Sequence, residues 1–247
     1  FHISELYSPW SSWSEMSKSF IEAKKSVDTL KTWINTSLGE TFEEQGDKLD
    51  GVDLYNKREK YGKIPDQAVV LTAAIDVQDN RLEMGIYAHG PNNETWASDH
   101  IIAYGNPIED GVWDEMEKSI DLKFERESGS YALITATGVD TGGHHTTRAY
   151  SFCSKLAHKN VMAFKGHSVA GKPAISRPKL LHHHQVNLYT IGVDTIKDNV
   201  FARIQIESGK PHCIHFPWHY DPEFFAQITS EMRVTAYRHG VPYTKYI

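Results

Sequence analysis

The sequence predicts a mixed α/β fold: a β-sheet with helices on its faces, preceded by a helical segment. Three observations lead there. Residues 69–104 hold three strand-like stretches in succession, residues 112–164 alternate helical and strand patterns, and residues 1–62 lack apolar alternation. A meander followed by alternating helix and strand requires a sheet with both antiparallel and parallel neighbours.

Taken in order, the first 62 residues are aromatic-rich and then charged. Residues 11–24 and 28–37 read as two short helices. In the second, Leu30, Trp33, Ile34 and Leu38 recur at helical spacing, with Asp28 placed to cap it and Gly39 to stop it. Residues 46–51 are polar and are expected to loop out. This stretch reads as a linker or brace over 1–65, leaving 66–247 as the domain proper.

Residues 69–75 form a continuous apolar run that ends at Asp76, the pattern of a strand covered on both faces. Leu82, Met84 and Ile86 alternate with other residues, as in a half-exposed strand, and the polar residues 76–80 supply the turn between the two. Residues 96–104 make a third strand. A helix follows over 112–122 on the period of Val112, Met116 and Ile120, then a second buried strand, 131–139, which also ends in an aspartate, Asp140. Residues 146–158 read as a helix, 161–164 as a short strand, and 193–204 as an amphipathic helix packed on the sheet. A terminal helix carrying Asp221 and Glu231 is expected after a strand at 215–217.

Composition narrows the function classes. About 40% of the 247 residues are hydrophobic, enough for one good core. No run reaches the ~20 apolar residues of a membrane span, and no secretion signal opens the chain, so the expected setting is soluble and intracellular. Cys153 and Cys213 are too few for a disulfide framework and lack metal-ligand spacing. A net charge of −6 argues against broad electrostatic wrapping of nucleic acid. It leaves room for a carboxylate site that attracts phosphate once divalent metal is bound.

The residues that carry chemistry are the two strand-end aspartates. Ligands of α/β sheets gather at strand ends, so Asp76 and Asp140 meet if their strands are neighbours. Paired carboxylates are hard oxygen ligands suited to Mg²⁺ or Mn²⁺, and two such ions about 4 Å apart hydrolyse phosphodiesters. A single aspartate after a strand equally well starts a turn. Asp140 is followed by Gly142 and Gly143, which allow close backbone approach, and by His144 and His145, placed to bind phosphate or move a proton or simply to cap a helix in solvent. Lys165, and Lys172, Arg177 and Lys179 beyond it, could touch a DNA backbone or sit in a solvated loop. His182, His183 and His184 read as neighbours in an extended strand, whose side chains alternate faces and cannot share one ion.

Seven stretches resemble the large terminase subunits of lambda-like tailed phages. They are Phe1-His-Ile-Ser-Glu-Leu-Tyr-Ser-Pro-Trp10, Asn35-Thr-Ser-Leu-Gly-Glu40, Leu71-Thr-Ala-Ala-Ile-Asp-Val-Gln78, Gly138-Val-Asp-Thr-Gly-Gly-His-His-Thr146, Lys165-Gly166, Val193-Asp-Thr-Ile-Lys-Asp198 and His215-Phe-Pro217, in family order and across nearly the whole chain. Such subunits join an ATPase that drives DNA into the capsid to a nuclease with an RNase H-like fold. No phosphate-loop motif occurs here, so the resemblance is to the nuclease half and its preceding linker.

The resemblance implies a metal-dependent endonuclease that cuts concatemeric double-stranded DNA by two-metal hydrolysis, with Asp76 binding or bridging both ions and Asp140 holding one. The family's third carboxylate, in an Asn-Glu-Ala-Leu-Asp motif, has no match up to Ile247 and is expected beyond it. Asp221 and Glu231 are the nearest substitutes, although Asp221 also suits a helix cap. Implied partners are the attached ATPase, the small terminase subunit and the portal, in the host cytoplasm and transiently at the procapsid portal. The rival readings are a recombinase core of the same fold and a non-catalytic module that clamps DNA or docks on the portal.

Overall fold

The computed structural model describes residues 3–25, 27–40, 42, 49–167, 169, 171–238 and 241–247. Phe1 and His2 of the first matching stretch, and residues 46–48 of the expected loop, lie outside the described residues. The chain divides into two compact units, Leu49–Ser230 and a smaller one of Phe1–Lys48 with Glu231–Ile247. The boundary expected near residue 65 falls inside the larger unit.

In the smaller unit, α1 (Trp13–Ala23) begins at a capping box: Ser12 Oγ accepts from the Glu15 amide at 3.2 Å, and the Glu15 carboxylate accepts from the Ser12 amide at 3.1 Å. α2 (Val27–Trp33) runs into a wider turn, Ile34–Leu38, stopped by Gly39 at φ 65°. Gly39 ends the helix as the sequence indicates, whereas Asp28 lies within the first turn of α2 rather than ahead of it. Trp33 ties α2 to α1, its ring 4.8 Å from that of Phe20 and its Nε1–H donated to Ser19 Oγ.

The larger unit opens with α3 (Gly51–Asn56), capped by Asp50, whose Oδ1 accepts from the Val52 amide at 2.7 Å. Then come β1 (Val70–Val77), β2 (Arg81–His89), β3 (Thr95–Tyr104), α4 (Asp110–Ile120), β4 (Lys123–Glu125), β5 (Tyr131–Asp140), α5 (Thr146–Lys155), β6 (Val161–His167), β7 (Lys179–Leu181), β8 (Val186–Gly192), α6 (Val193–Ile204), β9 (Ile214–His215) and α7 (Pro222–Ile228). The sheet order is β7-β8-β6-β5-β1-β2-β3-β9, with β4 beside β5. Neighbours β1, β2 and β3 are antiparallel, while β5 is parallel to β1 and β6 is parallel to β5. A three-strand meander continued by parallel strands on the far side of β1 is an RNase H-like arrangement, and the mixed sheet expected from sequence is present.

Leu82, Met84 and Ile86 are fully buried on one face, where α4 contributes Val112, Trp113 and Met116 and α5 contributes Ala149, Phe152 and Cys153. Each large apolar side chain so covered contributes roughly 1.5–3 kcal/mol. Burial also pushes the Cys153 thiol up to about 12, which leaves it a packing residue. Ion pairs Asp110–Arg148, Glu117–Lys155 and Asp121–Lys159 lace α4 to the α5 region. Being largely exposed, they add little.

A second core, built by Leu54 of α3, Ile204 of α6, Phe225 of α7, Ala97, Phe216 and Tyr220, covers only the β2–β3 side of the opposite face. Side chains alternate along strands, so Ala97 and Tyr87 face this core while Met84 and Ile86 face the first. Among the described residues, that second face carries no helix core over β1, β5 and β6.

Two expectations are corrected. His182, His183 and His184 are not in a strand; they form the turn joining β7 to β8. The terminal helix stops at Ile228, and Glu231 lies beyond it, in the smaller unit, ahead of a hairpin of β10 (Arg233–Arg238) and β11 (Val241–Tyr246). Val234, Thr235, Val241 and Thr244 are β-branched, and with Tyr246 they favour a pleated strand over a helix. Among the described residues no helix is long and apolar enough to cross a membrane.

Candidate active site

β1 and β5 run parallel with Ile75 beside Val139, so the next residues, Asp76 and Asp140, end neighbouring strands. Ile75 and Val139 are buried in the first core, and alternation turns both aspartates to the open face, where they are exposed. Adjacent strands lie about 4.8 Å apart, which sets the spacing of the two backbones. Asp76 accepts from the Gln78 side-chain amide, and Asp140 Oδ1 accepts from the Gly142 amide at 2.8 Å. Among the described residues neither carboxylate has a Lys, Arg or His ion-pair partner. Two adjacent carboxylates with hard oxygen donors fit a divalent cation such as Mg²⁺ or Mn²⁺. No group of three His, Cys, Asp or Glu residues converges on one point among the described residues. The fit is therefore to an ion that keeps several waters and takes substrate oxygens, a habit of Mg²⁺.

The loops after the two strands meet as well. Asp79 Oδ1 lies 3.1 Å from His144 Nδ1 and 3.9 Å from His145 Nε2. His144 is exposed, while His145 occupies the N-cap position of α5 without a side-chain cap bond. Thr146 Oγ1, bonded to the Gly143 and Thr141 carbonyls, fixes the turn instead.

Asp76 and Asp140 open into a cleft of about 810 Å³ on the uncovered face, with α7 contributing Phe224, Gln227 and Ile228 to its lining. Its floor depends on glycine. A Cβ at Gly138 would stand 2.4 Å from the Phe164 ring, and one at Gly85 would stand 2.9 Å from the Tyr87 ring. Two further polar residues in the lining were not singled out from sequence, Glu83 and His100. Glu83 pairs with Asp76 in the β1–β2 register, and its Oε2 lies 3.2 Å from His100 Nε2. The signal was present: if Leu82 and Met84 face the core, Glu83 faces away from it, and the short turn after Asp76 sets the register.

The remaining candidates stand apart from this constellation. Lys165 lies on β6, Lys172 and Arg177 in the connection to β7, and Lys179 on β7; all four are exposed and none lines the cleft. Asp221 is the N-cap of α7, its Oδ1 accepting from the Phe224 amide at 2.9 Å. Asp221→Ala is therefore expected to lower stability by about 1 kcal/mol while plasmid cleavage at a permissive temperature is unchanged. Chemical denaturation beside a cleavage assay checks this, and a large loss of cleavage in a folded variant would return Asp221 to the site.

Comparison with known proteins bears on the whole chain. The terminase large subunit of Enterobacteria phage P21 is 35% identical over 241 residues, covering 95% of this chain and 37% of the relative. The terminase large subunit of Escherichia phage lambda is 32% identical over 242 residues, covering 96% and 37%. The chain thus spans 37% of the length of each of these relatives. Among solved structures, the nuclease domain of the g2p large terminase from bacteriophage SPP1, crystallised with bound Mn, aligns over 76% of this chain and 85% of that one, at 11% identity and a TM-score of 0.36. The family model described as terminase large subunit gpA, endonuclease domain, matches residues 1–247. Since that match runs from the first residue to the last, the chain belongs to the endonuclease-domain family of the terminase large subunit gpA.

Proposed function

We propose that this chain is the metal-dependent endonuclease of a DNA-packaging terminase and hydrolyses phosphodiester bonds of concatemeric double-stranded viral DNA. The observation that carries the reading is the placement of Asp76 and Asp140 on adjacent parallel strand ends, facing one open cleft. Asp76 and Asp140 would hold one or two Mg²⁺ or Mn²⁺ ions. When bound, such ions supply an activated water and charge stabilisation at the leaving oxygen. Gln78 and the Gly142 amide restrain the two carboxylates and keep one oxygen of each turned to its neighbour in the protein. His144, in the loop that follows Asp140 and with its Nδ1 3.1 Å from Asp79, would orient a phosphate or carry a proton. Phosphate contacts position DNA without reading its sequence, so choice of cut site falls to partners. Those partners are the ATPase part of the polypeptide, the small terminase subunit and the portal, met in the host cytoplasm and at the procapsid.

Cleavage of supercoiled plasmid by this chain and by the full-length polypeptide, in Mn²⁺, Mg²⁺ or EDTA, tests the proposal. Cutting that requires metal is the expected result. Cutting undiminished in EDTA, or none by the full-length polypeptide under any metal, would refute it.

A further inference from the structure

The cleft is acidic. Asp76, Glu83 and Asp140 all line it, and among its described lining residues His100 is the one side chain able to carry positive charge. The Glu83 carboxylate, 14% exposed, accepts the Arg81 Nε–H on Oε1 at 2.5 Å and faces His100 Nε2 through Oε2 at 3.2 Å. Phe224 meets the imidazole edge-on at 5.9 Å. The ring is held from two sides, and its Nδ1 has no hydrogen-bond partner among the described residues. A carboxylate on one ring nitrogen fixes the direction in which the other is presented.

The register defines what that nitrogen can reach. His100 lies opposite Gly85 and Gly85 lies opposite Ala74, with the Tyr87 ring standing over Gly85 and Glu83 opposite Asp76. Two strand spacings, about 10 Å, separate the β3 backbone from that of Asp76. That separation suits a contact to a neighbouring phosphate of a strand lying over the carboxylates.

Resting on the nuclease reading above, we infer that His100 grips a backbone phosphate flanking the scissile one, with Glu83 and Arg81 as its positioning residues. Arg81 offsets the Glu83 charge, so the carboxylate that orients the ring does not by itself repel the DNA. With Nε2–H donated to Glu83, bonding a phosphate oxygen through Nδ1 requires a proton taken from solvent. The bound form is an imidazolium bridging carboxylate and phosphate. The groups facing it are Glu83 and Arg81 from β2, Asp99 on its own strand, whose Oδ1 accepts the His100 amide, and the apolar Phe224 from α7.

The test is fluorescence anisotropy of a labelled DNA duplex with this chain, Ca²⁺ replacing Mn²⁺, over a range of salt. His100→Gln is expected to bind about tenfold more weakly than wild type, as loss of one charge-assisted contact implies, and the slope of log affinity against log salt should fall by about 0.9. Glu83→Gln should shift affinity in the same direction. His100→Asn serves as the second variant, and matching melting curves show that each is folded. Equal affinity and equal salt slope in wild type and both His100 variants would overturn the inference, as would no duplex binding by any of them. A raised Mn²⁺ requirement for cleavage with unchanged duplex affinity would overturn it too, by placing His100 at the metal. A binding difference without metal-dependent cleavage by wild type would keep the contact and remove the nuclease reading; cleavage without a binding difference would remove the contact alone.

Discussion

Asp76→Ala is expected to lower Mn²⁺-dependent plasmid cleavage by about a hundredfold to a thousandfold, the scale of losing one preorganised group that stabilises developing charge. The side chain is exposed and its hydrogen bond is a local one to the Gln78 side-chain amide, so folding free energy should change by no more than about 0.5 kcal/mol. A second readout separates the metal from the chemistry. A ligand that binds only the folded state stabilises by mass action, by about 2.7 kcal/mol at a hundred times its dissociation constant. Mn²⁺ should therefore raise the melting temperature of wild type, and EDTA should reverse the rise. Asp76→Ala and Asp140→Ala should each blunt it, and the double variant should abolish it. A double variant that still cuts plasmid with wild-type metal dependence would place the site elsewhere.

Phe225→Ala should give the largest loss of stability, about 3–5 kcal/mol. Phe225 is fully buried at the centre of the second core, with ring contacts to Phe216 at 5.2 Å, Phe224 at 5.4 Å and Tyr55 at 5.8 Å. Truncation removes its transfer energy and leaves a cavity between α3 and α7 that the rigid sheet cannot close. At about 2–4 °C per kcal/mol for a unit of this size, the melting temperature should drop by about 10 °C. Function should follow at a remove, because α7 carries Phe224, Gln227 and Ile228 into the cleft. Below its melting temperature the variant should show a raised KM for DNA with metal dependence retained, and Phe225→Leu should recover most of the stability. A loss under about 1 kcal/mol would mean that α7 does not depend on this core.

The elements read from sequence with the firmest outcome were those with unbroken periodicity. The helix expected over 193–204 is α6 at those bounds, and the first and third strands of the meander fall within two residues of β1 and β3, while β2 runs three residues past Ile86. Short elements were missed: α3 has six residues and β4 three, too few for a period to show. The terminal helix was carried too far: expected to hold both Asp221 and Glu231, it begins after Asp221 and stops at Ile228.

By itself, the sequence determined that two apolar strands end in Asp76 and Asp140, and that a three-strand meander is followed by alternating helix and strand as a mixed sheet requires. These are local properties, written in the period of neighbouring side chains. Tertiary structure alone decided that β5 lies directly beside β1, which brings the two aspartates from opposite ends of a 64-residue separation to adjacent positions. It also decided that α3, α6 and α7 cover only part of the second sheet face, leaving a cleft in which Glu83 and His100 join them. Strand order and the coverage of a face arise from packing between distant segments, and no periodicity within a segment encodes which distant partner it will meet.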